Sequence, residues 1–132
     1  MRRLALAAAA LALAGCGSPP PDLLAVERTG PDATANVDLV VSDGGSVTCN
    51  GKRHALDAKR LLRARELTRD LAPQAELHLE LPPGPGSQLR YTARMEAGTV
   101  SFADTSRGNP RSFQELAAFT KDVTEDVCGL ER

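Results

Sequence analysis

The most reactive side chains of this 132-residue chain are three cysteines, Cys16, Cys49 and Cys128. A thiol can act as a nucleophile, ligate a metal, carry a covalent modification or close a disulfide. The chain has no CxxC or HxxxH spacing, and His54 is the only histidine close to a cysteine in the sequence. The thiols therefore divide by position into one near the start of the chain and a distant pair.

The residues before Cys16 have the three parts of a secretory signal peptide. Arg2 and Arg3 supply positive charge, a Leu/Ala run extends from Leu4 to Leu13, and small residues precede the cysteine. An apolar run of about 10 residues is too short for a membrane span, which needs roughly 20. Two interpretations remain, a plain signal peptide and one that is cleaved at a lipid-modified cysteine.

The tetrapeptide Leu13-Ala14-Gly15-Cys16 resembles the lipobox of bacterial lipoproteins. The resemblance implies cleavage before Cys16, a diacylglycerol on its sulfur and usually an acyl chain on its amino group. Several acyl chains on one residue are enough for stable anchoring, whereas a single chain binds reversibly. We therefore predict a signal peptide over 1–15, a lipidated Pro-rich stalk over 16–22, and one domain over 23–132 on the extracytoplasmic face of the cell membrane.

Cys49 and Cys128 are an even pair in the oxidising compartment that a signal peptide implies, which favours a disulfide between them. The alternative is a two-cysteine metal site that includes His54, but such a site lacks further ligands. We predict the disulfide, no metal site and no cofactor. The bond requires a C-terminal helix that packs back along a sheet.

Composition limits the classes of partner. Two of the 16 basic residues lie within residues 1–15, so the remaining chain has 14 basic and 17 acidic residues and a net charge of −3. This balance argues against nucleic acid and against a polybasic membrane patch. The chain has no Trp, one Tyr and three Phe, so its core must be aliphatic and it has few rings on which to stack sugars or bases.

Apolar alternation and turn residues predict the strands. Asp43-Gly44-Gly45 is typical of a type I′ hairpin turn, and Asn50-Gly51 is a second tight-turn signal. The predicted strands are Leu23–Thr29, Ala35–Ser42, Ser46–Cys49, Gln88–Glu96 and Thr99–Ala103. Glu76–Leu81 is predicted to be either a short strand or an extended edge.

Two helices are expected. Asp57 is a candidate N-cap for the first, which Pro73 should end. Ser112 to Glu115 has the pattern of a capping box for the second, predicted over Phe113–Cys128 with Gly129 at C′. The order predicts an α+β fold, a mostly antiparallel sheet of about five strands with both helices on one face.

A polar stretch between the last strand and the last helix is the candidate interaction loop. It contains both charges, two hydroxyls and an amide, on Asp104, Thr105, Ser106, Arg107 and Asn109. The alternative is a turn whose side chains satisfy its own backbone. Likewise, the row of arginines at 60, 63, 65 and 69 could face anionic head groups or cell-wall polymer. The alternative is a solvated helix face, which the interleaved Glu66 and Asp70 favour.

No motif places a nucleophile beside a histidine, and we predict no catalytic residues. His54 and His78 have ordinary contexts for solvated side chains, and only a spatial trio of Ser46, His54 and Asp57 is left as an enzyme hypothesis.

Several short sequence segments of the domain resemble segments of uncharacterised small actinobacterial lipoproteins. They are Val41-Ser42-Asp43-Gly44-Gly45, Thr48-Cys49-Asn50-Gly51, the run from Gly98 to Ser106, and Val127-Cys128-Gly129. This resemblance implies location but no activity. Arg28-Thr29-Gly30 at the end of the first strand, with alternating strands and two helices, is also similar to emfourin-type inhibitors of thermolysin-like metallopeptidases. This chain departs from them in its cysteine pair and in Pro31.

We therefore expect a lipid-anchored, non-catalytic binding module of the cell envelope. Its partners would be the membrane, through Cys16, and an envelope protein or small ligand; nucleic acid is not expected. The alternative is a membrane-tethered protease inhibitor of the emfourin kind.

Overall fold

The computed structural model describes residues 21–130, and within them the fold is α+β. Its sheet has six strands in the order β4-β3-β2-β1-β5-β6, and every neighbouring pair is antiparallel. The strands are β1 Asp22–Thr29, β2 Val37–Ser42, β3 Ser46–Cys49, β4 Lys52–Ala55, β5 Arg90–Met95 and β6 Gly98–Ala103. The predicted fold class is thus confirmed, with one strand more than expected.

Two helices cover one face of this sheet. Helix α1 spans Ala58–Glu76, and α2 spans Arg111–Asp122 and continues into a π-helical turn over Val123–Val127. Asp57 caps α1 as predicted, since its carboxylate accepts a hydrogen bond from the Arg60 amide at 3.2 Å. Within residues 21–130 neither helix has the length and apolarity to cross a membrane.

The core lies between the helices and alternate residues of the strands. Val37, Leu39 and Val41 of β2 are buried as their alternation predicts. The aromatic part of the core is a stack in which the Phe102 ring lies 5.0 Å from Tyr91 and 4.6 Å from Phe113. This stack fastens the start of α2 to β5 and β6.

The sheet has two ends that differ in character. At the stalk end, β1 begins at Asp22 beside the turns at 43–45 and 96–97. The loop end is opposite and carries the segments 30–36, 50–51, 82–89 and 104–110. Because β1 crosses the sheet over eight residues, the two ends are separated by roughly 25 Å.

The helices run antiparallel along these two ends. Helix α1 begins where the Leu56 amide donates to Gly45, and it ends where Gly98 approaches the Ala75 carbonyl, both at the stalk end. Helix α2 begins directly after 104–110 and leads to Cys128, which is bonded to Cys49 at the loop end of β3. The predicted disulfide is present, with Cα atoms 6.1 Å apart.

Some predicted boundaries were wrong. Pro73 lies inside α1 and does not end it, because Leu71 and Ala75 on either side are buried and hold the last turn against the core. For Glu76–Leu81 the extended edge is present and the short strand is not, and its start was placed too early because Glu76 belongs to α1. The extended stretch lies along β6, where the Ser101 amide donates to the Leu79 carbonyl and the Leu81 amide to the Ser101 carbonyl.

The expected N-cap of the second helix was also wrong. The cap position is occupied by Pro110, and Ser112 is buried in the first turn, so no capping box forms.

The predicted type I′ turn at Asp43-Gly44-Gly45 was also wrong. The turn has three residues between the paired Ser42 and Ser46, and only Gly45 has a positive φ (86°), which differs from type I′. The positive φ values of a type I′ turn occur instead at Asn50 and Gly51 (47° and 84°).

Candidate functional site

The five residues of the candidate interaction loop lie together at the loop end, between β6 and α2. Asp104 is the hub of this region. Its carboxylate accepts hydrogen bonds from the Ser87 hydroxyl at 3.0 Å, the Gln88 amide at 3.1 Å and the Leu89 amide at 3.2 Å. Asp104 therefore ties the 82–89 segment to the end of β6.

The hydroxyl groups of the next two residues, Thr105 and Ser106, also bind the 82–89 segment. Thr105 donates to the Gly84 carbonyl at 3.0 Å. Ser106, which is buried, accepts from the Ala103 amide at 2.9 Å and donates to the Pro82 carbonyl at 2.9 Å. The alternative prediction was a turn whose side chains bind its own backbone. These side chains do bind backbone groups, but most of those groups belong to the 82–89 segment.

Arg107 and Gly108 form the exposed tip, supported by Asn109. The Asn109 amide nitrogen donates to Ala103 at 3.1 Å, and the Gln114 side chain donates to the Asn109 carbonyl at 3.3 Å. The side-chain oxygen of Asn109 is buried and has no hydrogen-bond donor within the described part of the chain. The tip is thus an exposed guanidinium on a loop that is held at both ends.

A depression with a volume of about 460 Å³ adjoins this loop. Its walls are the 31–35 turn, the 88–89 segment and Asp104, and Tyr91 contributes to its lining. Arg28, 1% exposed, lies at this end of β1 and donates from Nε to the Ala35 carbonyl at 2.9 Å, which holds the turn in place. The Arg28-Thr29-Gly30 segment and Asp104, which the sequence suggested separately, therefore lie at the same end of the sheet beside this depression.

This surface has polar groups for recognition. Asp104 uses its oxygens within the fold, whereas Asp32 is exposed and its side chain makes no capping bond. The accessible groups at the depression are the Asp32 carboxylate and the exposed Gln88, and Arg107 is exposed on the loop that adjoins it. Such a mixture of charge and amide suits a polar or peptidic partner.

The trio left open as an enzyme hypothesis is not assembled. In the β3–β4 hairpin Val47 is paired with His54 and faces the core, so Ser46, its neighbour, lies on the opposite face from His54. Asp57 is engaged by Arg60 at the start of α1. His78 is exposed after α1, and among residues 21–130 no cluster of three or more His, Cys, Asp or Glu side chains could hold a metal.

A cluster of charged residues outside the candidate interaction loop joins the two helices. Arg60 donates to Asp122 through Nε at 2.9 Å and Nη2 at 3.2 Å, and pairs with Asp57 at 2.9 Å. Hydrogen bonding from Arg60 is the main cause of a lowered pKa at both Asp57 and Asp122, and the two carboxylates raise the pKa of Arg60. This cluster joins structural elements, and its charges are already paired.

Sequence reasoning missed two parts of the surface. Gln88 was predicted only as the start of a strand, Ser87 was assigned to no element, and Arg28 was noted only as part of a family resemblance. A buried arginine has no periodic signature, although its alternation with Leu24 and Val26 placed it on the core face of β1. Cys16, the predicted lipidation site, lies outside the described residues.

Comparisons with protein-family models, with curated proteins and with solved structures find no match for this chain.

Proposed function

We propose that this protein is an extracytoplasmic lipoprotein, anchored through Cys16, whose domain acts as a non-catalytic binding module of the cell envelope. The observation that carries the proposal is the position of the loop end. The chain enters the domain at Asp22, and the loop with Arg107 lies at the other end of β1. A chain that is tethered just before Asp22 would present this loop roughly 25 Å further from the membrane.

Two features support this proposal. The lipobox-like Leu13-Ala14-Gly15-Cys16 precedes the domain by only a short proline-rich stretch. The Cys49–Cys128 disulfide is the kind of bond that persists outside the cytosol. Together they fit a small stapled domain held close to the membrane surface.

The anchor is tested by Cys16→Ser in the full chain, with Ser18→Ala as the matched control. We expect the parent and the control to partition into detergent phase and to yield an N-terminal peptide with the mass of a lipidated cysteine. The Cys16→Ser chain should lose the lipid mass and appear either as the uncleaved precursor or in the aqueous phase. A parent N-terminal peptide without lipid would contradict the anchor.

The binding surface is tested by photo-crosslinking in cells. A photoreactive residue at position 107 should give discrete adducts, whereas the same residue at exposed position 121 on α2 should not. Equal adducts at both positions would show that the loop end is not a specific surface.

A membrane-tethered protease inhibitor is the second candidate, because the proline-rich loop 82–87 is exposed in large part and is held at both Pro82 and Gly84 by side chains of the next loop. Inhibitors of this type need a stiff exposed loop to limit the entropy lost on binding. Titration against secreted metallo- and serine peptidases tests this function. The absence of inhibition at micromolar protein would remove it.

A further inference from the structure

The surface around the start of β1 is restricted by the stalk. The Asp43 amide donates to the Pro21 carbonyl at 2.9 Å, which fixes where the chain emerges at the stalk end. Cys16 precedes Asp22 by six residues, three of them prolines. Even fully extended as polyproline II, this stretch reaches only about 20 Å. A lipid on Cys16 would therefore keep the stalk end within that distance of the bilayer surface.

Helix α1 lies along this end and is joined to it. Arg65 forms an ion pair with Asp43, the residue that holds Pro21, at 2.7 Å. Leu23, the second residue of β1, lines a shallow groove together with Leu62, Arg65, Arg69 and Ala72 of α1. The outward face of α1 is therefore continuous with the point at which the chain emerges.

This face has an unusual composition for a solvated helix. Leu62 is 54% exposed and Leu77 is 79% exposed, and they are the two exposed large hydrophobic residues of the described chain. Leu62 lies on the side of α1 opposite the buried Ala64, Leu67 and Leu71, and Leu77 directly follows the last residue of the helix. The exposed Arg65 and Arg69 lie between them along the chain. Glu66 and Glu76 are also on this side, so the face is mixed in charge and is not a polybasic patch.

We infer that the outward face of α1 rests on the phospholipid headgroup layer, with Leu62 and, directly after the helix, Leu77 in the interface and Arg69 at a lipid phosphate, while Arg65 stays paired with Asp43. Arginine suits this position because its stem packs on apolar surface while its guanidinium binds phosphate. Two leucines bind a bilayer weakly alone, and the tether supplies the high local concentration that makes the contact persist. The inference rests on the proposed lipid anchor, and its consequence is a fixed orientation with the loop end directed away from the membrane.

Tryptophan fluorescence provides a direct test because the chain contains no Trp. Leu62→Trp, Leu77→Trp and Arg107→Trp each introduce a single reporter at an exposed position. All described helices and strands lie within residues 22–127, so a chain that begins at Cys16 keeps the whole domain. With Cys49 and Cys128 bonded, Cys16 is its only free thiol and can be coupled to a maleimide lipid in vesicles of equal parts phosphatidylethanolamine and phosphatidylglycerol.

Vesicles whose acyl chains carry bromine near the headgroups should quench Leu62→Trp and Leu77→Trp about twofold or more and shift their emission to the blue, as expected for rings at the interface. Arg107→Trp should be unaffected. Adding Arg69→Glu to the Leu62→Trp chain should weaken the quenching, whereas adding Lys121→Glu, on exposed α2 surface, should not. If neither helix reporter is quenched more than Arg107→Trp, the inference is wrong.

The coupled vesicles separate this inference from the proposed anchor. The lipid is attached chemically, so the quenching result does not depend on whether cells lipidate Cys16. An N-terminal peptide without lipid from cells would contradict the anchor alone. Unquenched helix reporters on coupled vesicles would contradict the membrane contact alone.

Discussion

At the scale of single residues, Asp104 shows how a residue expected at a binding surface can instead hold that surface in shape. Its carboxylate accepts hydrogen bonds from one hydroxyl and two backbone amides of the 87–89 segment. The residues that follow it, Thr105 and Ser106, bind the carbonyls of Gly84 and Pro82. In the proposed binding module, recognition is thereby left to Arg107 and to the exposed groups around the depression.

Asp104→Ala should lower the free energy of unfolding by about 0.5–1.5 kcal/mol, because two exposed backbone amides exchange the carboxylate for water. Asp104→Asn retains one acceptor oxygen and should cost less. Urea denaturation measures both, with Asp32→Ala, an exposed side chain without a capping bond, as the control. A stability of Asp104→Ala equal to that of the control would contradict this role.

Asp122 provides a prediction about pH. Hydrogen bonding from Arg60 lowers the pKa of this carboxyl group in the folded protein. Such a group contributes stability that is fully present above its unfolded pKa, about 3.9, and that is lost as the pH falls through the lower folded pKa. Because Asp122 is partly exposed, Asp122→Asn should cost only about 0.5–1 kcal/mol at pH 7.

The measurement is urea unfolding of the parent and Asp122→Asn at pH 7 and at pH 3. The difference between them should shrink at the lower pH, whereas Glu125→Gln, an exposed neighbour, should change little at either pH. An Asp122→Asn deficit that is the same at both values would exclude the ion pair with Arg60 as its source.

At the scale of elements, apolar periodicity predicted well the strands that bury one face. β1 and β2 alternate clearly, whereas β4 has the sequence Lys-Arg-His-Ala, buries almost nothing and was not predicted. It exists because the Asn50-Gly51 turn returns the chain and β3 supplies hydrogen-bond partners. Position in the sheet, which is a tertiary property, decides such an edge strand.

The candidate site, like the set of strands, was predicted only in part. Its polar residues could be recognised in the sequence, but their partners Ser87 and Gln88 are 15 or more residues away in a loop without periodicity. Pro73 illustrates the same limit, because burial of Leu71 and Ala75 outweighs its local preference to end a helix. Predictions from the local sequence failed where contacts between residues distant in the sequence supplied the larger free energy.

Gly98 is the point where α1 meets the β5–β6 hairpin. It has a φ of 144°, and a Cβ there would collide with the Ala75 carbonyl. Gly98→Ala should therefore lower stability by more than about 2 kcal/mol, since backbone strain adds to a clash with main chain. Gly51→Ala is the matched control, because Gly51 also has positive φ (84°) but has no atom within 4 Å of a new Cβ.

Thermal and urea unfolding of the two glycine variants give the comparison. Gly51→Ala should lose about 1 kcal/mol from strain alone. If Gly98→Ala loses no more than this control, the close approach of α1 to the hairpin is not a tight contact in solution.

At the scale of the whole molecule, the stalk end and the loop end give the domain a direction. Helix α1 and the start of β1 lie at the first end, and the 82–89 and 104–110 loops lie at the second. The Arg60–Asp122 pair joins the two helices, and Cys128 then ties the chain after α2 to β3. The loop after β6 is therefore held between a strand of the sheet and a helix whose far end is covalently fixed.

The disulfide should carry a large share of the stability of this small domain. Cys49 and Cys128 are separated by 79 positions, and closing a loop of that size gives an upper estimate of about 4.5 kcal/mol from chain entropy. Cys128→Ser should thus lower the free energy of unfolding by about 2–5 kcal/mol. A reductant should lower the melting temperature of the parent and leave the Cys49→Ser/Cys128→Ser double variant unchanged. Quantitative alkylation of both cysteines in the native, non-reduced protein would contradict the bond, and with it the placement of the C-terminal segment against β3.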